Sequence, residues 1–191
     1  MIATTIFFGI WMQKKAKILI YLFSIAAMGF VASAKMVIPA SFSARFVQKI
    51  TTADKKQKRY TGKAYINRSR EFKWLYTAPG RREICGDGSK VRIINHDLEQ
   101  VTVYKVGSLL DLMQLIKRAK PYRGDIYLTR YHGVRYTLKV NKAGQMEQIA
   151  YRDKMDNVVN IHFYNIQYNK TPFAVSRLRC PIPKTYDVIK G

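Results

Sequence analysis

Acidic residues are scarce in this chain. Twelve Asp and Glu stand against 34 Lys and Arg in 191 residues, a formal net charge of +22. That balance favours anionic partners, whether nucleic acid, an acidic polymer or a negatively charged membrane surface. It carries no information about fold. Cysteine is nearly absent too, with only Cys85 and Cys180. Two cysteines exclude a disulfide-dense miniature scaffold and any four-cysteine zinc site. No G-x-S-x-G, P-loop or G-x-G-x-x-G motif occurs. The three histidines, His96, His132 and His162, lack metal-ligand spacing, and the few carboxylates are scattered. These absences argue against an enzyme and against a resident metal or cofactor. Internal repeats and low-complexity linkers are missing as well, which points to one domain.

What the chain does have begins with a leader. Lys14, Lys15 and Lys17 precede the run "ILIYLFSIAAMGFVASA". Its apolar part, residues 18–31, is shorter than the about 17–25 residues a spanning helix needs. Ala32-Ser33-Ala34 fits the small-x-small pattern of signal cleavage, so residues 1–34 read as a signal peptide. The competing reading is a retained anchor. Met12 is the better start for such a signal, which makes residues 1–11 a candidate misplaced start. Cleavage would leave residues 35–191 as a single domain and, with three lysines and no acids removed, lower the charge to +19. The new first residue would be Lys35 rather than a lipidated cysteine, so the product is expected to be exported and soluble. In an oxidising compartment Cys85 and Cys180 are expected to pair, the alternative being two buried thiols.

Period-two alternation dominates residues 35–191 and predicts strands with one dry face. "SFSARFVQKI" aligns Phe42, Ala44, Phe46 and Ile50, with Gln48 among them. "GKAYINR" aligns Ala64, Ile66 and Arg68, and "EFKWLY" aligns Phe72, Trp74 and Tyr76. "VRYTLKV" sets Val134, Tyr136, Leu138 and Val140 against Arg135, Thr137 and Lys139; "VVNIHFYNI" gives Val159, Ile161 and Phe163. Asp87-Gly88 suits a tight hairpin. The expected fold is an antiparallel sheet or barrel. One segment departs from this period. "SLLDLMQLIKRAK", residues 108–120, places Leu109, Leu112, Met113 and Ile116 at helical spacing, with Ser108 as a cap and Lys117, Arg118 and Lys120 at the far end. Leu110 and Leu115 widen its apolar face, so its natural place is the open mouth or concave face of the sheet.

Two functions from different classes fit. One is a carrier of hydrophobic ligands, with a curved sheet and a greasy helix enclosing a cavity. Alternation points Arg68 to the dry side, where its five donors demand acceptors such as backbone carbonyls. The alternative is that Arg68 snorkels to the strand end. The other function is a secreted basic β-domain that binds nucleic acid or another polyanion. Its marks are the charge, the "KKQKR" run and the stretch "RSREFKW", where cations interleave with rings. Spread of the cations along the whole chain weakens a dedicated groove.

Several segments, taken in order, resemble the LolA family of periplasmic outer-membrane lipoprotein carrier proteins. "SFSARFVQKI" resembles the family's first strand, and "RSREFKW" its R-P-x-x-F-x-W segment. "DGSKVRIINHDLEQVTV" and the C-terminal "CPIPKTYDVI" are similar to its D-G-K…Q-V stretch and closing strand. The resemblance implies a mainly β fold with an α lid: an unclosed antiparallel β-barrel of about 11 strands over a hydrophobic cavity. It implies a periplasmic chaperone carrying acylated lipoproteins from an inner-membrane ABC exporter to an outer-membrane receptor lipoprotein, acting as a monomer. Acyl chains are then expected against Phe42, Phe46, Ile66, Phe72, Trp74, Leu112, Met113 and Ile116. Arg68 matches the family arginine that latches the lid backbone in the empty state. Two departures stand out: Ser69 replaces the usual proline, and residues 35–40 are too few for the family's N-terminal helix. A bend near Ser69-Arg70 would reset the register and turn Arg70 outward. The positive charge is not a family requirement; an expected use is transient contact with anionic membrane surfaces.

Overall fold

The computed structural model describes residues 35–105 and 111–190. Residues 1–34 lie outside the described residues, as do Ser108, Leu109 and Leu110, so the expected signal peptide and the expected Ser108 cap fall there.

Twelve strands form one sheet: β1 Ser41–Thr51, β2 Gln57–Asn67, β3 Glu71–Ala78, β4 Arg82–Asp87, β5 Lys90–Asn95, β6 Gln100–Lys105, β7 Lys120–Arg123, β8 Ile126–Tyr131, β9 Val134–Val140, β10 Met146–Arg152, β11 Val158–Asn169 and β12 Asp187–Lys190. Their spatial order is β12-β6-β5-β4-β3-β2-β1-β11-β10-β9-β8-β7. The edge strands β12 and β7 do not pair with each other, so the barrel is unclosed. One strand beyond the expected count is β12. It runs parallel to β6, the one departure from antiparallel pairing.

β1, β2, β3, β9 and β11 form where alternation predicts them. Phe42, Ala44 and Phe46 of β1, Ala64 and Ile66 of β2, Trp74 of β3, Tyr136, Leu138 and Val140 of β9 and Val159, Ile161 and Phe163 of β11 all turn to one face and join one buried cluster. Burying each of the larger aliphatic and phenylalanine side chains among them is worth about 1.5–3 kcal/mol. The rings of Phe42 and Phe163 meet edge to face at 5.3 Å, and those of Phe46 and Trp74 at 5.0 Å. Gly62 makes the second contact possible: a Cβ there would lie 2.0 Å from the Leu75 carbonyl oxygen and 2.7 Å from the Phe46 ring.

Two helices complete the described chain, α1 (Leu112–Arg118) and the single turn α2 (Val175–Leu178). The start and end of α1 differ from the expected 108–120. Asp111 is its cap, accepting from the Gln114 backbone N–H at 3.1 Å. At the other end Pro121 biases Lys120 away from helical geometry, and Lys120 opens β7 instead. Leu112, Met113, Leu115 and Ile116 are all buried in the inner cluster, which explains a helix too short to persist alone.

The outer face carries a second, smaller cluster: Cys85, Ile94, Val101 and Cys180, with Val103 and Tyr186. A disulfide joins Cys85 to Cys180 with Cα atoms 6.0 Å apart. It pins the C-terminal segment across β4.

Candidate functional site

A cleft of about 560 Å³ opens on the concave face. Its walls come from two arms of the sheet. Phe72, Trp74 and Tyr76 of β3 and Ile84 of β4 form one side; Val134 and Tyr136 of β9, Tyr151 of β10 and Ile161 of β11 form the other. The rim is built by the turns after β8 and β10, with Tyr131, His132, Asp153, Lys154 and Met155. Met155 is 75% exposed, an apolar side chain held at the mouth.

The cleft is apolar with a few polar points. Gln48, nearly buried on β1, accepts a hydrogen bond from the Tyr76 hydroxyl at 3.0 Å. Burial pushes the Tyr76 hydroxyl up to about 12, with Arg82 opposing and Tyr60 adding to the rise. Burial likewise raises Tyr136 and, further, Tyr151, whose ring centroids lie 4.9 Å apart. All three hydroxyls are therefore neutral across the physiological range. Phe72 reaches the cleft because of Gly86 on the neighbouring strand, where a Cβ would lie 2.2 Å from its ring.

The expected lining residues divide into two groups. Phe72 and Trp74 line the cleft. Phe42, Phe46, Ile66, Leu112, Met113 and Ile116 are packed in the adjoining core, none more than 3% exposed. The helix that was expected to cover a cavity fills one. Tyr151, Tyr131 and the rim residues were not foreseen at all.

Arg68 is not on the dry face. β2 ends at Asn67, and Arg68-Ser69-Arg70 form the turn into β3, with Arg70 at φ 85°. All three are exposed. The expected bend is thus a full hairpin turn, which does reset the register and leaves Arg70 in water. Arg68 nonetheless finds backbone acceptors. Its guanidinium donates from Nε to the Pro39 carbonyl at 2.9 Å and from Nη2 to the Ile38 carbonyl at 2.6 Å. Its own N–H donates to the Ala40 carbonyl at 2.9 Å. The expected acceptors are backbone carbonyls of a helix end or lid loop; the observed ones belong to the segment before β1.

That segment, residues 36–40, is tied at both ends. The Met36 N–H donates to the Tyr127 hydroxyl at 2.9 Å, and the Val37 N–H to the Gly144 carbonyl at 2.9 Å. The Ala40 N–H donates to the Asn169 carbonyl at 3.0 Å. Residues 36–40 therefore run as a strap from the β8–β10 arm to the β2–β3 turn. Gly144 suits its place twice, with φ 73° and with the Lys35 carbonyl oxygen 2.1 Å from where a Cβ would be.

Among the described residues the cluster of metal-ligand type is Glu83, Cys85 and Cys180. Both sulfurs are spent in the disulfide, and Glu83 is held by Lys73 at 2.8 Å.

Residues 39–115 match the family model described as "Outer membrane lipoprotein carrier protein LolA". The chain is 28% identical over 150 residues to an outer-membrane lipoprotein carrier protein of Campylobacter jejuni, covering 78% of this chain and 86% of that one. To the protein of the same name from Wolinella succinogenes it is 30% identical over 143 residues, covering 75% and 83%. Among solved structures, an uncharacterized conserved protein from Thermus thermophilus superposes with a TM-score of 0.51 at 13% identity, covering 84% of this chain and 93% of that one. That likeness is one of fold.

Proposed function

The chain belongs to the LolA family of outer-membrane lipoprotein carrier proteins, and from that premise we propose that it works in the periplasm, ferrying acylated lipoproteins from the inner membrane to the outer membrane with acyl chains in the concave cleft. It would receive them from an ABC exporter and deliver them to an outer-membrane acceptor. The observation that carries the acyl-chain reading is continuity: the apolar cleft adjoins a core whose remaining space is filled by α1. An acyl chain gains about 0.8 kcal/mol for each methylene buried. The cleft offers room for the first chain, and outward movement of α1 would extend that room along Phe46, Ile66 and Phe42.

A carrier must also let go, so its empty state has to be stable enough to compete with the loaded one. Two features would stabilise the empty state. The α1 side chains satisfy the apolar core in place of cargo, and Arg68 ties the strap to the β2–β3 turn through charge-assisted hydrogen bonds. Arg68 is in this reading the latch of residues 36–40.

The test is transfer itself. Inner-membrane vesicles holding a triacylated lipoprotein and its non-acylated version are incubated with the carrier and the ABC exporter. The acylated form alone should leave with the carrier and pass to an outer-membrane acceptor. Equal recovery of both forms would overturn the acyl-chain reading.

A further inference from the structure

A second concavity, of about 550 Å³, lies at the free β7 edge and turns onto the outer face. Four cations line it: Arg118 at the end of α1, Lys120 of β7, Arg130 of β8 and Arg135 of β9. No acid lines it. Elsewhere several of the scarce carboxylates are paired with cations, as in Lys56–Asp54, Arg92–Asp87, Lys73–Glu83 and Arg152–Asp156. Asp125, the acid of the nearby turn, faces Lys139 at 3.8 Å. Among the described residues, Lys120, Arg130 and Arg135 have no ion pair. Arg130 and Arg135 are direct cross-strand partners. Like charges so placed repel and destabilise the pair. That cost is relieved when an anion sits between them.

The groove is also amphipathic. Pro121, Tyr122, Leu128 and Thr129 complete its lining, and Tyr122 is 70% exposed. An exposed tyrosine flanked by Lys120 and Arg123 suits the boundary between water and lipid headgroups. The backbone is less suited to a peptide: Pro121 lacks an N–H and Lys120 guards the edge, both of which oppose strand addition. Arg118 connects this groove to the cargo cleft. Its guanidinium lies over the Tyr131 ring at 5.4 Å, and Tyr131 is on the cleft rim.

We propose that the groove of Arg118, Lys120, Tyr122, Arg130 and Arg135 is a docking surface for an anionic phospholipid bilayer, which it meets with the cleft rim close by. Phosphate groups take the guanidinium and ammonium donors, and Tyr122 enters the headgroup layer. This surface goes beyond the carrier reading and does not depend on it.

The experiment is co-sedimentation of the full chain with vesicles of phosphatidylethanolamine and phosphatidylglycerol, against vesicles of phosphatidylcholine alone. At about 0.1 M salt the groove still senses a surface within about 10 Å. Binding should favour the anionic vesicles. Each near-surface cation is worth about fivefold in partition, so Arg130→Glu with Arg135→Glu should weaken it at least about tenfold. Reversal of another like-charge pair, Lys49→Glu with Arg59→Glu on β1 and β2, should weaken it far less. Equal losses in both double variants would overturn the proposal in favour of diffuse charge. A single-stranded oligonucleotide that displaces the vesicles, and binds less well only to the Arg130/Arg135 variant, would overturn it in favour of a polyanion groove. Both arginines are exposed, and an unchanged melting temperature checks the fold. Binding of a soluble lipopeptide should be unaffected in either variant, which separates failure of docking from failure of the carrier reading.

Discussion

Single residues decide how the cleft and the strap are held. Arg68 donates two hydrogen bonds to the carbonyls of residues 38 and 39 from an exposed turn. Arg68→Leu should therefore leave the melting temperature nearly unchanged while loosening the strap. Amide exchange at Met36, Val37 and Ala40 should rise about tenfold, the equivalent of one charge-assisted hydrogen bond. Discharge to an acceptor should slow as the empty state loses its latch. Unchanged exchange at the strap would remove the latch from the account. Gly86 is a second such position. A Cβ there collides with the Phe72 ring, so Gly86→Ala should cost about 1–3 kcal/mol of stability by overpacking and push Phe72 into the cleft. Urea unfolding together with lipopeptide affinity reads both effects.

At the scale of elements, what could be read from sequence depended on which side chains form the inner face. β1, β9 and β11 declare themselves because aliphatic and phenylalanine side chains alternate with polar ones. β8 hides its period, since Tyr127, Thr129 and Tyr131 face inward with polar tips. β10 hides it differently: a register shift between Met146 and Gln148 spaces Met146 and Ile149 three apart. That shift hides Tyr151, while the rim residues sit at turns, where no strand period exists. α1 was legible as a helix, but whether it covers a space or fills one is a tertiary fact that periodicity cannot carry. The C-terminal segment depends on its cross-link. The Cys85–Cys180 disulfide closes a loop with a separation of 95 residues. Replacing both cysteines with serine should lower stability by up to about 4–5 kcal/mol in the chain-entropy account. It should also speed exchange along β12, where Val188 and Ile189 are already exposed. Protection of β12 equal to that of the intact protein would contradict the pinning role.

At the scale of the whole molecule, the buried tyrosines set an alkaline limit. Tyr76 and Tyr168 are pushed up to about 12, each mainly by burial, from an ordinary value of 10.0. Tyr136 and Tyr151 are raised as well. The folded state holds these protons more tightly than the unfolded chain. Their contribution to stability is therefore complete below about pH 10 and is lost as the pH rises toward about 12. Unfolding and tyrosinate absorbance should appear together in that window. Titration of all tyrosines near the ordinary value with the fold intact would contradict the burial. The larger claim is that cargo enters through the concave cleft, and Trp74 stands on its wall. The chain has two tryptophans, so Trp11→Phe leaves Trp74 as the only one, selectively excited apart from the tyrosines. The most direct measurement is quenching of Trp74 emission by a lipopeptide with brominated acyl chains, which requires contact. The account predicts strong quenching by that lipopeptide and little change with the same peptide lacking its acyl chains or with an oligonucleotide. Emission that ignores the brominated chains but responds to the oligonucleotide would contradict it.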